Sequence, residues 1–286
     1  MSTQVTTAFV QQYSANVQML SQQMGSRLRD AVRVESMTGK NAFFDQVGSA
    51  TAQKRTTRHG DTPQIDTPHA RRRVSLVDYE YADLIDDQDK IRMLIDPTSA
   101  YAQAAAAAMG RAIDDEIIAA ATGTAFTGET GSTSTALPAG QQIANGGTDL
   151  TVAKLREAKK ILDLSDVDPS IPRYIAVGPD QIDALLGDTN VTSADFNTVK
   201  ALVQGDVNQF MGFNFIMTNR LAKSGNIRSC FAWAEDGMAL AIGKDVNARI
   251  DERADKGYAT QVYYCMSIGS TRMEENKVVQ LDCDES

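Results

Sequence analysis

The most constraining feature of this sequence is a stretch without large apolar side chains. From Gly48 to Gln64 there is no Val, Ile, Leu, Met, Phe, Trp or Tyr, and Pro68 follows shortly after. Such a segment buries too little apolar surface to offset the entropy lost when it becomes ordered. A loop of this length is uncommon inside a compact domain and is usually functional or disordered. The sequence therefore predicts either a disordered loop or a projecting loop that is ordered by something outside the subunit.

Length and composition set the broad class. The chain has 286 residues, of which 42% are hydrophobic and 23% are charged. That is enough for one substantial core, or for two modest cores that share a sheet. No run of eighteen apolar residues occurs, and residues 1–12 lack the basic start and apolar stretch of a secretion signal. We expect no membrane span and no secretion. The three cysteines are widely spaced, which predicts reduced thiols in a protein made in the cytoplasm.

Charge is unevenly distributed along the chain. Residues 1–75 hold ten Lys and Arg against five Asp and Glu, a charge of +5, whereas residues 76–286 carry −14. A basic first quarter on an acidic body indicates either a nucleic-acid arm or an arm that lies on the acidic body of a second copy. The negative body argues against DNA contact over its whole surface. Charge alone leaves both alternatives open.

Apolar spacing predicts the elements of the first half. Residues 3–38 carry two sets of apolar positions, and the first set, from Phe9 to Leu20, follows helical spacing. One or two short helices on an arm are predicted here. The alternation from Val74 to Tyr81 predicts a half-exposed strand. An alanine-rich helix is predicted over 97–122, capped by Asp96 and ended by Gly123. At 1.5 Å per residue it would be a rod of about 38 Å.

The second half predicts shorter elements after a Gly-, Ser- and Thr-rich connection at 123–149. Helices are predicted at 151–162 and 179–186. Short apolar segments predict strands at 174–177, 213–217, 230–234, 238–242, 261–268 and 278–283. Helices and strands do not alternate regularly, so the predicted fold class is α+β.

Motifs for catalysis or metal binding are not found in the sequence. The segment from Gly237 to Lys244 departs from a phosphate-binding loop, because five residues separate its glycines and Asp245 replaces the magnesium-binding Ser or Thr. His59 and His69 lie in or beside the polar stretch, without the rigid support that a base or metal ligand requires. The acidic clusters at 86–89 and 114–116 do not follow the calcium-loop pattern. We expect no catalytic residue, no metal site and no cofactor, hence no enzyme.

Four segments, in their order along the chain, carry a resemblance to a known family. They are 58–123 (RHGDTPQIDTP…AAATG), 150–188 (LTVAKLREAKKIL…LLGD), 203–219 (VQGDVNQFMGFNFIMTN) and 231–281 (FAWAEDGMALAIG…KVVQL). Their order resembles that of the major capsid proteins of tailed bacteriophages, which have the Hong Kong 97-type fold. The resemblance extends from about Gly48 to the C-terminus.

The resemblance implies a division of the chain. It comprises an N-terminal arm at 1–38, an E-loop region at 39–76, a peripheral domain at 77–149 with the spine helix at 97–122, an axial domain at 150–255, and C-terminal strands at 256–286 that return to the sheets. The implied function is that of a major capsid protein that assembles into hexamers and pentamers of an icosahedral shell around double-stranded DNA. The implied location is the virion, after synthesis in the host cytoplasm.

The implied partners are other copies of the chain, a separate scaffolding protein, a portal, and in some particles a decoration protein. Packaged DNA would meet the inner surface without sequence specificity, and no membrane is involved. The resemblance also explains the polar stretch, which would lie over the adjacent subunit. The predicted inter-subunit contact residues are Lys54, Arg55, Arg58, Arg71, Arg72 and Arg73 on the basic side and Asp86, Asp87, Asp114 and Glu116 on the acidic side. Cross-linking through Lys54 is not predicted, because nothing marks a partner asparagine.

Three other classes stay open at this point. An encapsulin-like nanocompartment shell would have the same fold and would enclose proteins rather than DNA. A soluble nucleic-acid-binding protein would use the basic N-terminal quarter, and its binding would weaken steeply with salt. A soluble α+β enzyme would be a monomer or small oligomer with a deep pocket.

Overall fold

The computed structural model describes residues 21–58, 61–62, 64–86, 98–187 and 209–286, with only the backbone at 98–100. The predicted helical stripe at 3–20, His59, Asp87, Asp96 and Pro97 lie outside the described residues. The helices are α1 (Thr98–Thr122), α2 (Val152–Leu164) and α3 (Pro179–Gly187). The strands are β1 (Arg33–Ser36), β2 (Asn41–Val47), β3 (His69–Ser75), β4 (Val77–Ile85), β5 (Ala125–Thr127), β6 (Thr133–Thr135), β7 (Gln142–Ile143), β8 (Arg173–Val177), β9 (Gln209–Phe210), β10 (Phe213–Met217), β11 (Lys223–Ser224), β12 (Ile227–Ala234), β13 (Met238–Arg253), β14 (Ala259–Arg272) and β15 (Val278–Asp284).

Within the described residues, the strands form three sheets. The long sheet has the order β1-β13-β14-β4, and the central sheet has the order β7-β15-β12-β8-β10-β9, with β11 paired to β12. The third sheet has the order β2-β3-β5-β6 and carries the projecting hairpin. Helices and strands are mixed without a regular alternation, which confirms the predicted α+β class.

Helix α1 confirms the predicted rod. Ala105, Met109, Ile113, Ile117 and Ala121 recur every four residues and are all almost completely buried, so one stripe of the helix faces the core. The helix packs mainly along β14. Small alanine side chains allow this close packing of helix and strand, and Gly123 ends the helix by donating to the carbonyl of Ala119.

The central sheet confirms the predicted buried strand at 230–234. All five residues from Cys230 to Ala234 are fully buried, because β12 lies between β15 and β8 in the middle of the sheet. Trp233 stacks with Tyr174 at 5.8 Å between ring centroids. Helix α2 begins where predicted, since the Thr151 side chain accepts a hydrogen bond from the Lys154 amide at 3.3 Å.

The described part of the predicted arm differs from the expectation. One or two short helices were predicted for residues 3–38, but around Leu28 and Val32 the chain forms a short 3-10 turn at Arg29–Ala31 and then β1. Strand β1 runs parallel to β13, with Arg33 opposite Ala239. Leu28 and Val32 are buried in the main core, so tertiary packing overrides the helical spacing.

Strand β13 is much longer than predicted. The prediction ended at Ile242, whereas the strand continues to Arg253, and its distal half is mostly polar and largely exposed. The ladder with β14 pairs Arg253 with Ala259 and holds this half in place, with register shifts on either side of Lys244. The hairpin spans the predicted boundary at residue 255, because β13 and β14 belong to one sheet. The domain limits stay predictions.

In the described ranges, no helix is both long and apolar enough to cross a lipid bilayer. The described part of the polar stretch, residues 48–58, 61, 62 and 64, forms neither helix nor strand, and every one of these residues is exposed. The amide of Gly48 donates to the carbonyl of Pro68 at 2.8 Å, so the two ends of the loop meet. The loop is therefore an extension of the β2–β3 hairpin, as a projecting loop requires.

Candidate assembly surface

The three consecutive arginines of β3 do not form one basic cluster. Successive side chains of a strand point to opposite faces. Arg71 and Arg73 therefore lie on the outer face of the hairpin, and Arg72 lies on the face toward the body. Arg72 is only 5% exposed, whereas Arg71 keeps 42% of its side-chain surface.

The outer face carries what we call the Arg–Phe ladder, formed by Phe43, Arg71, Arg73 and Phe126. The guanidinium carbon of Arg71 lies 5.5 Å from the ring centroid of Phe43, and that of Arg73 lies 4.7 Å from that of Phe126. The two rings keep 41% and 39% of their surface exposed. Arginine and aromatic residues are enriched where proteins bind one another. The ladder thus has the composition of a docking surface.

Asp45 completes this outer face. It is paired across the strands with Arg71, whose Nε donates to Asp45 Oδ1 at 2.6 Å. This hydrogen bond raises the pKa of Arg71 above its ordinary value. Both side chains are well exposed, so the pair orients Arg71 without removing it from solvent.

Beyond the ladder lies the basic part of the loop. Lys54, Arg55 and Arg58 are exposed, and Arg55 Nε makes a local hydrogen bond to the carbonyl of Thr57 at 3.0 Å. Val47 and Ile65 expose 68% and 41% of their surface at the two sides of the loop. The loop therefore offers positive charge and apolar surface that its own body does not cover.

Arg72 anchors the hairpin to its own subunit. Its Nε donates to the carbonyl of Met273 at 2.8 Å, and its Nη2 donates to both oxygens of Glu275, at 2.6 Å to Oε1. Gln46 also donates to the carbonyl of Met273. Sequence reasoning placed Arg72 at a subunit contact; in this structure it is buried and engaged within the chain, so we leave it out of the proposed surface.

The predicted acidic partners are scattered. Asp86 is exposed at the end of β4, and Asp87 lies outside the described residues. Glu116 accepts a hydrogen bond from the hydroxyl of Tyr79 at 2.9 Å, and burial together with this bond raises the pKa of Tyr79 to about 12. Asp114 is fully buried under the residues that precede β1, so it presents no surface to a neighbour and is left out as well.

Two residues at the base of the hairpin escaped sequence reasoning. Arg272 is fully buried and donates to the carbonyls of Ala121 and Gly123 at 2.9 Å each, which caps the C-terminal end of α1. Its Nε lies 3.8 Å from Glu275 Oε1. Glu275 therefore joins the hairpin to the long helix through two arginines. No local pattern marks it, because Arg72 lies 203 residues away in sequence.

Two further features of the described residues concern metal binding and a surface cavity. Among them, no group of three or more His, Cys, Asp or Glu is arranged to hold a metal ion. A cavity of about 810 Å³ lies between the end of α2 and β10, and its buried Arg173 is paired with Asp163 at 2.7 Å. The carboxylate of Asp163 is therefore already paired with an arginine, and the pair stabilises the local fold.

Comparison with known proteins agrees with this geometry. A sequence model of the family described as "Phage capsid protein" matches residues 5–285. No curated protein matches the chain.

Solved capsid structures have the same fold. The chain of the cyanophage P-SCSP1u capsid is similar at a TM-score of 0.77 and 19% identity, over 100% of this chain and 96% of that one. The capsid chain of Helicobacter pylori bacteriophage KHP30 is similar at 0.74 and 12% identity, over 100% and 98%. The capsid chain of Ralstonia phage GP4 is similar at 0.72 and 11% identity, over 97% and 96%.

Proposed function

This chain belongs to the phage capsid protein family, and we propose that it assembles with its own copies into the hexamers and pentamers of an icosahedral shell around double-stranded DNA. Its role is structural, as the major capsid protein of a virion. The predicted likeness to tailed-phage capsid proteins is confirmed by the family match and by the solved capsids of the same fold. The arrangement of subunits in the shell is part of the proposal.

One observation carries the assembly mechanism: the hairpin of β2 and β3 is anchored on one face and uncovered on the other. Arg72 binds the inner face to the body, while the Arg–Phe ladder and the described residues of the loop at 48–68 contact solvent. A loop that buries nothing on its own body gains little from being ordered there. We infer that an adjacent copy supplies the missing surface.

Charge supports this docking. Lys54, Arg55 and Arg58 extend from a body that is acidic overall, and Asp86 is exposed on that body. Each exposed ion pair contributes only about 0.2–1 kcal/mol. Because the same pairs would recur at every subunit of a closed ring, a weak contact becomes decisive for the whole shell. The ladder's rings add apolar area at the same interface.

The test is to shorten the loop without touching the hairpin. We would replace residues 50–66 by a short Asn-Gly turn, which leaves the pairing of Val47 with His69 intact. The expected result is a subunit that unfolds with wild-type cooperativity but gives no shells in negative-stain microscopy. A matched control changes Lys54, Arg55 and Arg58 to glutamine at full loop length. It should lower the yield of shells and make the remainder more sensitive to salt.

Normal shells from the shortened chain would refute the role of the loop. Shells from the triple glutamine variant, with none from the shortened chain, would mean that the length of the loop rather than its charge matters. If the wild-type chain alone gives no shells, the same experiment is repeated with the separate scaffolding protein that the resemblance implies. Shells that form only when the scaffolding protein is present would support both the proposed shell assembly and the proposed need for a separate scaffolding protein.

The remaining partners are also part of the proposal. We propose a portal, a scaffolding protein and, in some particles, a decoration protein as partners, with synthesis in the host cytoplasm. DNA would lie at the inner surface without sequence specificity. We further propose that the protein has no enzymatic activity. An encapsulin-like shell is the alternative within this fold, and DNA or protein recovered from nuclease-treated particles distinguishes the two.

A further inference from the structure

One face of β14 points away from helix α1 and carries a cysteine. Successive side chains of a strand alternate between its two faces. Met266 and Ile268 are buried in the main core, which α1 also lines. Cys265 and Ser267 therefore lie on the opposite face, and Cys265 keeps part of its surface exposed. A small reagent in solution can thus reach the sulfur.

An amine lies against this sulfur. Nζ of Lys244, on the neighbouring strand β13, donates to Sγ of Cys265 at 3.1 Å. Lys244 is exposed, so its ammonium group exchanges protons with water. On the other side of the cysteine, the carboxylate of Glu80 already accepts a hydrogen bond from the hydroxyl of Tyr263 at 3.0 Å. The contact of Cys265 with Lys244 therefore brings a sulfur and a nitrogen nucleophile together at the surface.

This contact spans an irregular step in the ladder between β13 and β14. Lys244 is opposite Ser267, and the next pair is Asn247 with Cys265, so residues 245 and 246 are out of register. The amide of Val246 donates to the Asp245 carboxylate at 2.8 Å instead. We call residues 247–253, beyond this step, the distal strand. Among the described residues β1 pairs with β13 only at 239–242, so β14 is the strand that holds the distal strand.

We propose that Cys265 and Lys244 are an oxidation-sensitive pair, in which a peroxide joins the sulfur to the nitrogen and thereby staples the distal strand to β14. The thiolate is the reactive form of cysteine, and peroxide converts it to a sulfenic acid. A sulfenic acid condenses with a nearby nitrogen to form a sulfur–nitrogen bond. The amine of Lys244 is the nitrogen in contact.

The two steps balance in atoms and electrons. The sulfur attacks hydrogen peroxide, the O–O bond breaks, and the leaving hydroxide takes up a proton and becomes water. The amine, after losing a proton to solvent, attacks the sulfur; the S–N bond forms, the S–O bond breaks, and a second water leaves. In sum, one thiol, one ammonium group and one peroxide give a sulfenamide, two waters and one proton. Two electrons pass to the peroxide.

The two other cysteines are internal controls. Cys230 and Cys283 are fully buried, so peroxide does not reach them in the folded chain. Hydrogen bonding to Cys283 and burial also raise the pKa of Cys230, which keeps it in the unreactive thiol form. Thiols persist in a reducing cytoplasm and are oxidised outside it, so the link would form after particles leave the host. That timing rests on the proposed function, whereas the chemistry does not.

The test is treatment of the full-length unassembled chain with hydrogen peroxide at mildly alkaline pH, where thiols begin to ionise. Free thiols are then alkylated under denaturing conditions, and tryptic peptides are analysed by mass spectrometry. The expected product joins the peptides of Lys244 and Cys265, is uncleaved after Lys244, and is about 2 Da lighter than their sum, since two hydrogens are lost. Cys230 lies in the same peptide as Lys244 and should be alkylated, which excludes a disulfide.

Two variants separate the link from simple oxidation. Lys244→Arg keeps the positive charge, but a guanidinium group does not lose its proton, so the linked product should fall at least about tenfold. The sulfenic acid of this variant should instead be trapped by dimedone. Cys265→Ser should give neither product. Absence of the linked product from the wild type, or equal amounts in the wild type and Lys244→Arg, would overturn the proposal.

Hydrogen exchange measures the effect on the hairpin. In the linked wild-type chain, the amides of the distal strand should exchange at least about threefold more slowly than in the reduced chain, because the two strands separate less often. Dithiothreitol should break the S–N bond and restore the faster exchange. The comparison uses one chain in two redox states, so it does not depend on the folding of a variant. A linked chain with unchanged exchange would refute the staple and would leave the proposed shell function, which microscopy tests, unaffected.

Discussion

Replacing Glu275 with glutamine tests how the projecting hairpin is held. Glu275 contacts two arginines, Arg72 from the hairpin and Arg272 at the end of β14, and both are almost fully buried. Burial lowers the pKa of Arg272 below its ordinary value; Glu275 opposes that shift and Arg72 adds to it. Glutamine has nearly the same shape but no charge. The substitution therefore leaves two buried guanidinium groups without their shared counter-charge.

The size of the effect follows from the burial of the three groups. Removing one partner of a buried ion pair costs about 3–5 kcal/mol. The side chain of Glu275 keeps 17% of its surface exposed, so water compensates part of the loss and the lower end, about 3 kcal/mol, applies. For a chain of this length, about 2 °C of melting temperature is lost for each kcal/mol, which gives a decrease of about 6 °C.

Thermal unfolding of the unassembled subunit measures this decrease. The control is Glu274→Gln, which removes the adjacent carboxylate, 46% exposed and 3.3 Å from Lys277. It should shift the melting temperature by about 1 °C or less, as exposed pairs do. Equal shifts for the two variants would refute the reasoning, because charge burial could then not be the cause.

A second substitution sharpens the same test. Arg72→Met should destabilise the wild type. Among the described residues it leaves Glu275 with its long contact to Arg272, and it leaves the carbonyl of Met273 with Gln46 as its remaining side-chain donor. In the Glu275→Gln background it removes an uncompensated charge, so its cost should be smaller by about 1 kcal/mol or more. Additive effects of the two substitutions would mean that the groups are not coupled.

Two further predictions concern the central sheet. Hydrogen bonding to Arg228 lowers the pKa of Glu285 from 4.5 to about 2, so the stabilisation is complete above pH 4.5 and is lost as the pH falls toward 2. Urea unfolding between pH 5 and 2 should show this loss, and Glu285→Gln should flatten that part of the pH profile. Lys154 is buried and donates to three backbone carbonyls at 2.7–2.9 Å, so Lys154→Met should lower the unfolding free energy by about 2–4 kcal/mol. The exposed Lys160→Met is its control; equal losses for the two lysines would contradict the account.

Local pattern was sufficient for much of the fold. The alanine-rich run predicted as a helix over 97–122 forms α1 at Thr98–Thr122, and the continuous apolar run at Cys230–Ala234 forms a strand buried on both faces. Each depends mainly on its own residues, since helix propensity and the burial of an apolar run act within one segment. The loop at 48–64 was recognised in the same way, because absent apolar residues are visible in sequence.

The arginines of β3 show what the local sequence pattern could not predict, namely the partners of charged side chains. In the sequence, Arg71, Arg72 and Arg73 are one basic cluster; in the structure, strand geometry sends the middle one to Glu275 and the outer two to the ladder. Likewise, the sequence placed Asp114 in an exposed acidic cluster, yet it accepts hydrogen bonds from residues between Gln23 and Leu28, 86 to 91 residues earlier in the chain. Nothing near either residue in sequence specifies these partners.

What the amino-acid sequence determined by itself was the class of the fold, the long helix, the buried strand and a loop that cannot hold itself in place. What only the tertiary structure decided was which charges are buried and which stay available to a neighbour. The physical reason is that a charge is paired by whichever group the sheet order brings within about 3 Å, often from two hundred residues away. Secondary-structure propensity depends on residues that are adjacent in the chain, whereas the partner of a charged side chain is whichever group lies near it in space.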